Sequence, residues 1–184
     1  MNHHDMTRNM VLAALFAALT AIGAFLQIPT ATAPITLQFL FTALAGLLLG
    51  WKWGAVSQLL YVGIGLLGLP VFTQGGGIGY VLQPSFGFLL GLIPAAAVIG
   101  ALTARRTGYL TVLAAVLVGD LILYAVGVPY MYLILHVYMQ SAKTFPALLA
   151  AMLVYVPGDT LKIIVVTALA PVLRRTLAKA VPNL

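Results

Sequence analysis

Apolar residues along this chain fall in long runs, and polar ones gather in the short gaps between them. Six runs can be drawn, at residues 10–26, 36–50, 53–69, 86–104, 110–135 and 147–173. Runs of this hydropathy predict membrane-spanning helices. Several are shorter than the roughly 20 residues that cross a bilayer upright, so neighbouring helices and loops must complete the span. The gaps carry basic residues at alternate positions. Arg8 precedes the first run, Lys52 divides the second from the third, Arg105 and Arg106 divide the fourth from the fifth, and Arg174, Arg175 and Lys179 follow the sixth. With six crossings all of these fall on one side, and only Lys143 falls on the other. The positive-inside rule then puts both termini in the cytoplasm. The expectation is one all-α integral membrane domain over residues 1–184, a six-transmembrane-helix bundle in the cell membrane with extracellular loops at 27–35 and 70–85.

Composition sharpens this. Sixty-two per cent of the residues are hydrophobic and 7% charged, against about a quarter charged in an ordinary soluble domain. The formal charge of +6 would suggest nucleic acid for a soluble chain, but here the basic residues orient the bundle and no nucleic-acid partner is expected. The acids are Asp5, Asp120 and Asp159, with no Glu and no Cys. A disulfide or thiolate metal site is therefore excluded. Histidines at 3, 4 and 136 are terminal or interfacial and too scattered for a metal site. Enzyme chemistry would have to be assembled from two aspartates and a lysine, so the chain is not expected to be an enzyme or to carry a cofactor. Residues 1–9 are polar and no convincing cleavage site follows them, so no removable signal peptide is expected.

Against that background Tyr155-Val-Pro-Gly-Asp-Thr-Leu-Lys-Ile-Ile-Val-Val166 stands out. A helix from Gly158 onward puts Asp159 and Lys162 on one face, one turn apart. A charge in hydrocarbon is costly unless paired or wetted, so both are functional candidates. The alternative is a pair that only neutralises itself and locks a helix in place. Asp120, after Gly119, is a second intramembrane carboxylate. It fits a ligand contact, a hydrogen bond to Tyr124 at i+4, or the cap of a helix that Gly127 and Pro129 should end or kink.

The first run carries small residues at Ala13, Ala17 and Ala21, with Ala14 and Ala18 beside them. Such a stripe lets a second helix approach closely, from inside the bundle or from a partner. Pro34-Ile-Thr-Leu-Gln38 opens the second run and points the Gln38 amide at whatever the bundle encloses or at a neighbouring helix. The loop from Leu69 to Ser85 holds Gly75, Gly76, Gly77 and Gly79 but also Phe72, Tyr80 and Val81. It is too apolar for a solvated tether and reads as a lid over a cavity. A phosphate-binding loop is excluded, because no Gly-Lys-Ser/Thr follows. Tyr130, Tyr132 and Tyr138 fit an aromatic belt, and no convincing internal repeat points to an inverted-repeat transporter.

Five segments in order carry a resemblance: Ala33-Pro-Ile-Thr-Leu-Gln38, Gly68-Leu-Pro-Val-Phe72 with its glycine-rich continuation to Gly79, Pro84-Ser-Phe-Gly-Phe-Leu-Leu-Gly91, Gly119-Asp120, and Pro157-Gly-Asp-Thr-Leu-Lys162. Together they cover nearly the whole chain. It resembles the BioY family, the biotin-specific S components of energy-coupling factor (ECF) transporters. The resemblance implies a six-helix bundle of the S-component type that binds biotin near the outer face, under the loops after the first and third spans. It implies partners too: a transmembrane coupling subunit docked on Ala14 and Ala18, driven by two cytoplasmic ATPases. Asp159 and Lys162 match the family's acid and lysine in the last span. Gln83-Pro-Ser-Phe86 departs from the usual Gly-Pro-Thr-Gly-like pattern, and Gln74 occupies a lid position whose polar identity varies.

Biotin offers a ureido ring with two N–H donors and a carbonyl, an apolar thioether ring and a carboxylate tail. Asp159 can accept from an N–H, and Lys162 can donate to the ureido oxygen or to the carboxylate. Gln38, Gln74 and Ser85 can supply neutral hydrogen bonds, Phe72 and Tyr80 can cover the apolar ring, and Asp120 is a further candidate. The alternative function is a stand-alone or proton-coupled carrier for biotin or a related vitamin, with Asp120 or Asp159 as the titrating acid.

Overall fold

The computed structural model describes residues 3–30, 33–105 and 108–180, with side chains from Asp5 to Thr176. Arg106, and the side chains of His3, His4 and Lys179, lie outside the described residues. Helix α1 covers His3–Phe25. A small antiparallel ribbon follows, β1 (Gln27–Ile28) and β2 (Ile35–Thr36), in the register Gln27 to Thr36 and Ile28 to Ile35. Next come α2 (Gln38–Leu66), α3 (Phe86–Leu102), α4 (Tyr109–Leu133), α5 (Phe145–Met152) and α6 (Val156–Ala180). Among the described residues, four helices are long and apolar enough to cross a membrane: Asp5–Phe25, Gln38–Leu66, Tyr109–Tyr138 and Val156–Thr176.

Helix α2 is in fact two passes. Gly50 sits at φ 76°, ψ −179°, where only glycine is comfortable, and the chain folds back on itself there. Across this reversal Gln38 Nε2 donates to the Tyr61 hydroxyl (2.7 Å), and Thr42 Oγ1 donates to Gln58 Oε1 (2.9 Å). Gly54 packs on Gly46 so closely that a Cβ on Gly54 would lie 2.8 Å from the Gly46 Cα. A straight helix would hold Gln38 and Tyr61 tens of ångströms apart. The two arms, 38–49 and 51–66, span about 18 and 24 Å at about 1.5 Å per residue. The runs expected at 36–50 and 53–69 thus correspond to two antiparallel arms, joined with no intervening loop and each shorter than an upright span. With α1, α3, α4 and the α5–α6 pair, six passes result.

Two later elements differ from expectation. Gly127 and Pro129 do not end α4, which runs through them to Leu133 and closes in a π-helical turn, Ile134–Tyr138. Gly127 instead admits the Phe88 ring of α3, which a Cβ would meet at 2.4 Å. Neighbouring helices let a membrane helix tolerate the hydrogen bond that proline removes. The last run divides, with α5 ending at Met152 and α6 starting after the turn at 153–155. Pro157 explains the break, because its ring clashes with the carbonyl four residues back while it is accepted in the first turn of a new helix.

The bundle is held by small residues and by a buried polar cluster. A Cβ on Gly46 would sit 2.4 Å from the Ala96 carbonyl of α3, so the two helices approach backbone to backbone. Thr20 of α1 meets Gln58 through Gln58 Nε2 (3.3 Å), and Gln58 also holds Thr42 and Ser57. All four are fully buried, where mutual satisfaction replaces water. At the opposite end from α6's start, Arg174 donates to the Leu47 carbonyl (2.8 and 3.2 Å) and to the Thr103 carbonyl (3.4 Å). That end also carries Lys52 and Arg105.

Candidate functional site

The start of α6, at the other end of the bundle, builds a charged centre. Asp159 lies in the first turn, where the helix dipole favours a carboxylate. Lys162 Nζ approaches Asp159 Oδ1 at 2.5 Å, and the two side chains are only 9% and 8% exposed. The other oxygen, Oδ2, accepts from the Tyr124 hydroxyl on α4. Lys162 also donates to the Thr36 carbonyl of β2 at 3.2 Å. Each charge in this apolar setting is thus met by a counter-charge and a hydrogen bond, which is what a buried ion pair needs to persist.

The pair opens on a cavity. Its polar wall is formed by Thr36, Gln38, Thr73, Ser85, Tyr124 and Tyr155 together with Asp159 and Lys162, and its apolar wall by Phe39, Phe88, Leu89, Leu92, Leu123 and Met152. Cavity and mouth together enclose about 660 Å³, part of it continuous with solvent. Small-molecule sites share this composition, an apolar lining with a few convergent polar groups. Phe88, Leu89 and Leu92 share one face of α3 by helical spacing, so one helix supplies much of the apolar wall.

Two loops cover the cavity. In the first, the Tyr155 hydroxyl donates to the Ala33 carbonyl (2.5 Å), accepts from the Ala33 N–H (2.9 Å) and lies 2.7 Å from Thr30 Oγ1. In the second, Gly75 and Gly77 take positive φ, and the Gly77 N–H donates to the Gly65 carbonyl (2.7 Å). The loop folds inward because its aromatics are buried. Phe72 is 1% exposed and occupies the space left by Gly65, where a Cβ would lie 2.1 Å from its ring. Tyr61, Phe72, Tyr80, Phe86 and Tyr130 form a run of ring contacts with centroids 4.6 to 6.3 Å apart. Hydrogen bonds from Tyr61 to the Val71 carbonyl (3.1 Å) and from Tyr130 to the Val81 carbonyl (2.5 Å) fix both flanks of the lid.

Of the residues singled out in the sequence, Asp159, Lys162, Gln38, Tyr80 and Ser85 meet on this cavity. The Gln38 amide is already engaged. Its Oε1 accepts from Thr36 Oγ1 (2.8 Å) and its Nε2 donates to Tyr61. Phe72 stands behind Tyr80, at a centroid distance of 4.6 Å, and does not line the cavity. Gln74 is exposed on the lid and also lies off the lining. Asp120 is half-buried and off the lining, and its Oδ1 has no hydrogen-bond partner among the described residues. The Tyr124 hydroxyl, one of the bonds considered for Asp120, goes to Asp159 instead. Ala13 and Ala17 face the core while Ala14 and Ala18 are exposed, so the alanine stripe has an inner and an outer side.

Sequence reading did not single out Thr36, Thr73, Tyr124 and Tyr155, which line the cavity, or Tyr61, which holds the Gln38 amide behind it. Tyr124 and Tyr155 had a signal, being hydroxyls inside apolar runs within a few residues of Asp120 and Asp159. Tyr61 had none, because only the reversal at Gly50 brings it to Gln38.

Comparison with known proteins identifies the family and the fold. Residues 1–179 match the sequence model of the BioY family. A Lysinibacillus sphaericus protein named "Probable biotin transporter BioY" is 53% identical over 141 residues, 76% of this chain and 72% of that one. The "Biotin transporter BioY" of Rhodobacter capsulatus is 38% identical over 188 residues, covering 97% of each chain. Among solved structures, the S-component for biotin from an ECF-type ABC transporter superposes with a TM-score of 0.84 at 29% identity, over 95% of both chains. The six-pass bundle and its buried centre thus belong to a multi-pass membrane protein of the BioY family.

Proposed function

We propose that this chain captures biotin at the outer face of the cell membrane and serves its uptake as the substrate-binding subunit of an ECF-type transporter. The observation that carries this reading is the Asp159–Lys162 pair, buried yet open to a largely apolar cavity under two anchored loops. Biotin matches that mixture. Asp159 accepts from a ureido N–H, Lys162 donates to the ureido oxygen or to the tail carboxylate, and the apolar wall takes the thioether ring. Tyr80 lies over the ligand as part of the lid, and Gln38 and Ser85 complete the polar wall. Membership of the BioY family and the likeness to a biotin S-component support the assignment.

Energy must come from elsewhere, since no Gly-Lys-Ser/Thr nucleotide-binding motif occurs in the chain. The proposed partners are a transmembrane coupling subunit and two cytoplasmic ATPases. Ala14 and Ala18, exposed on α1, support a docking face for the coupling subunit, because small side chains let two membrane helices approach closely.

The test is isothermal titration of the detergent-purified chain, without partners, with biotin and with thiamine and riboflavin as controls. Tight one-to-one binding of biotin alone is the expected result. Folded protein that binds none of the three overturns the reading.

A further inference from the structure

Asp159 is gripped from two sides, by Lys162 on its own helix and by Tyr124 on α4. Lys162 holds Oδ1 at 2.5 Å and also donates to the Thr36 carbonyl at 3.2 Å. An ammonium has three N–H donors, so a ligand oxygen entering the cavity takes the third or draws Lys162 away from Asp159. The second grip comes from α4, on the far side of the carboxylate. Tyr124 donates its hydroxyl proton to Oδ2. Its ring is braced edge-on by Phe88, with centroids 5.9 Å apart and planes at 88°. The hydroxyl has another carboxylate near it, on Asp120 one helical turn back, whose Oδ1 lacks a partner among the described residues.

From this geometry, and resting on the biotin reading above, we infer that Tyr124 is the positioning residue for Asp159. It keeps Oδ2 occupied and the carboxylate plane fixed, so that Oδ1 stays directed at a ligand N–H when Lys162 turns to the ligand. The ligand class this favours presents an N–H donor beside a carbonyl oxygen, as one edge of a cyclic urea does. Tyr124 acts through Asp159, and its removal should matter only while Asp159 is a carboxylate.

A double-mutant cycle in biotin affinity tests this, using wild type, Tyr124→Phe, Asp159→Asn and the double variant, each confirmed folded by thermal unfolding. Loss of a hydrogen bond to a charged group should weaken binding roughly tenfold in Tyr124→Phe. In the Asp159→Asn background the same change should cost less than about twofold, because the two positions then no longer couple. An equal loss in both backgrounds, or no loss in wild type, overturns the inference. A ligand-free readout separates it from the biotin reading, whose own failure appears in the wild-type titration. The infrared difference spectrum between Tyr124→Phe and wild type should contain a shifted carboxylate stretch that is absent when Asp159→Asn is the parent. A spectrum without that band also overturns it.

Discussion

The Tyr155 hydroxyl holds both backbone groups of Ala33, donating to its carbonyl at 2.5 Å and accepting its N–H at 2.9 Å. One side chain at the α5–α6 turn therefore fastens the loop that follows α1, more than a hundred residues earlier in the chain. Tyr155 also lines the cavity, so the clasp sits at the mouth it closes.

Removing the clasp should loosen the loop without dismantling the pocket. Tyr155→Phe keeps the ring and loses the two bonds to Ala33 and the one to Thr30, each worth about 1 kcal/mol net. The expected outcome is faster biotin dissociation, with affinity weakened roughly three- to tenfold, and faster amide exchange across 33–36. Unchanged exchange there would show that the ribbon and not the tyrosine holds the loop.

The ion pair makes a prediction in which stability and binding separate. Lys162→Ala strands a buried carboxylate, and breaking a buried pair typically destabilises by about 3–5 kcal/mol. Its unfolding midpoint should fall clearly, and biotin affinity should fall at least about tenfold with it. Asp159→Asn should lose about the same affinity. The double variant Asp159→Asn with Lys162→Met removes both charges and should recover much of the stability while binding stays lost. Recovery of binding along with stability would mean that the pair is a structural lock only.

How far the sequence reaches is clearest at these residues. Asp159 and Lys162 could be paired from spacing alone, because both lie on one helix where i,i+3 neighbours must meet. The six crossings were legible for a similar reason, since hydropathy and charge placement are local properties. Tyr124 and Thr36 were not, because each reaches the pair from another element, and such meetings depend on packing angles that no spacing encodes. Asp120 shows the converse. As an intramembrane acid it is a candidate, but it lies one turn before Tyr124 on the same face of α4, and only Tyr124 reaches the cavity lining. Pro157 and Pro129 show why boundaries fail: the same residue type divides one run and passes unnoticed in another, according to its neighbours.

Gly50 offers a test of the reversal itself. Nothing lies within 4 Å of the position a Cβ would take, so the cost of Gly50→Ala comes from the backbone alone. At φ 76° and ψ −179° a non-glycine residue is strained by about 1–3 kcal/mol. The variant should unfold at lower temperature yet bind biotin within about twofold of wild type, because the pocket lies at the other end of both arms. Unchanged stability would mean that the two arms are not folded back at this residue.

The last prediction concerns the outer side of α1. Ala13 and Ala17 are 1% and 4% exposed and pack inward, whereas Ala14 and Ala18 face out of the bundle. Lipid alone would accept a larger apolar residue at either outward position, since hydrocarbon tails are as apolar as leucine. A partner helix seated against the small residues would not, because a bulky side chain holds the two backbones apart. Ala14→Leu and Ala18→Leu should therefore leave unfolding and biotin affinity unchanged. Reconstituted with a coupling subunit and its ATPases in vesicles, the same variants should lose roughly tenfold or more of ATP-driven biotin uptake, the scale of a few lost packing contacts in a membrane interface. Full uptake by both leucine variants would move the docking face off this stripe, leaving Ala14 and Ala18 as lipid-facing residues only.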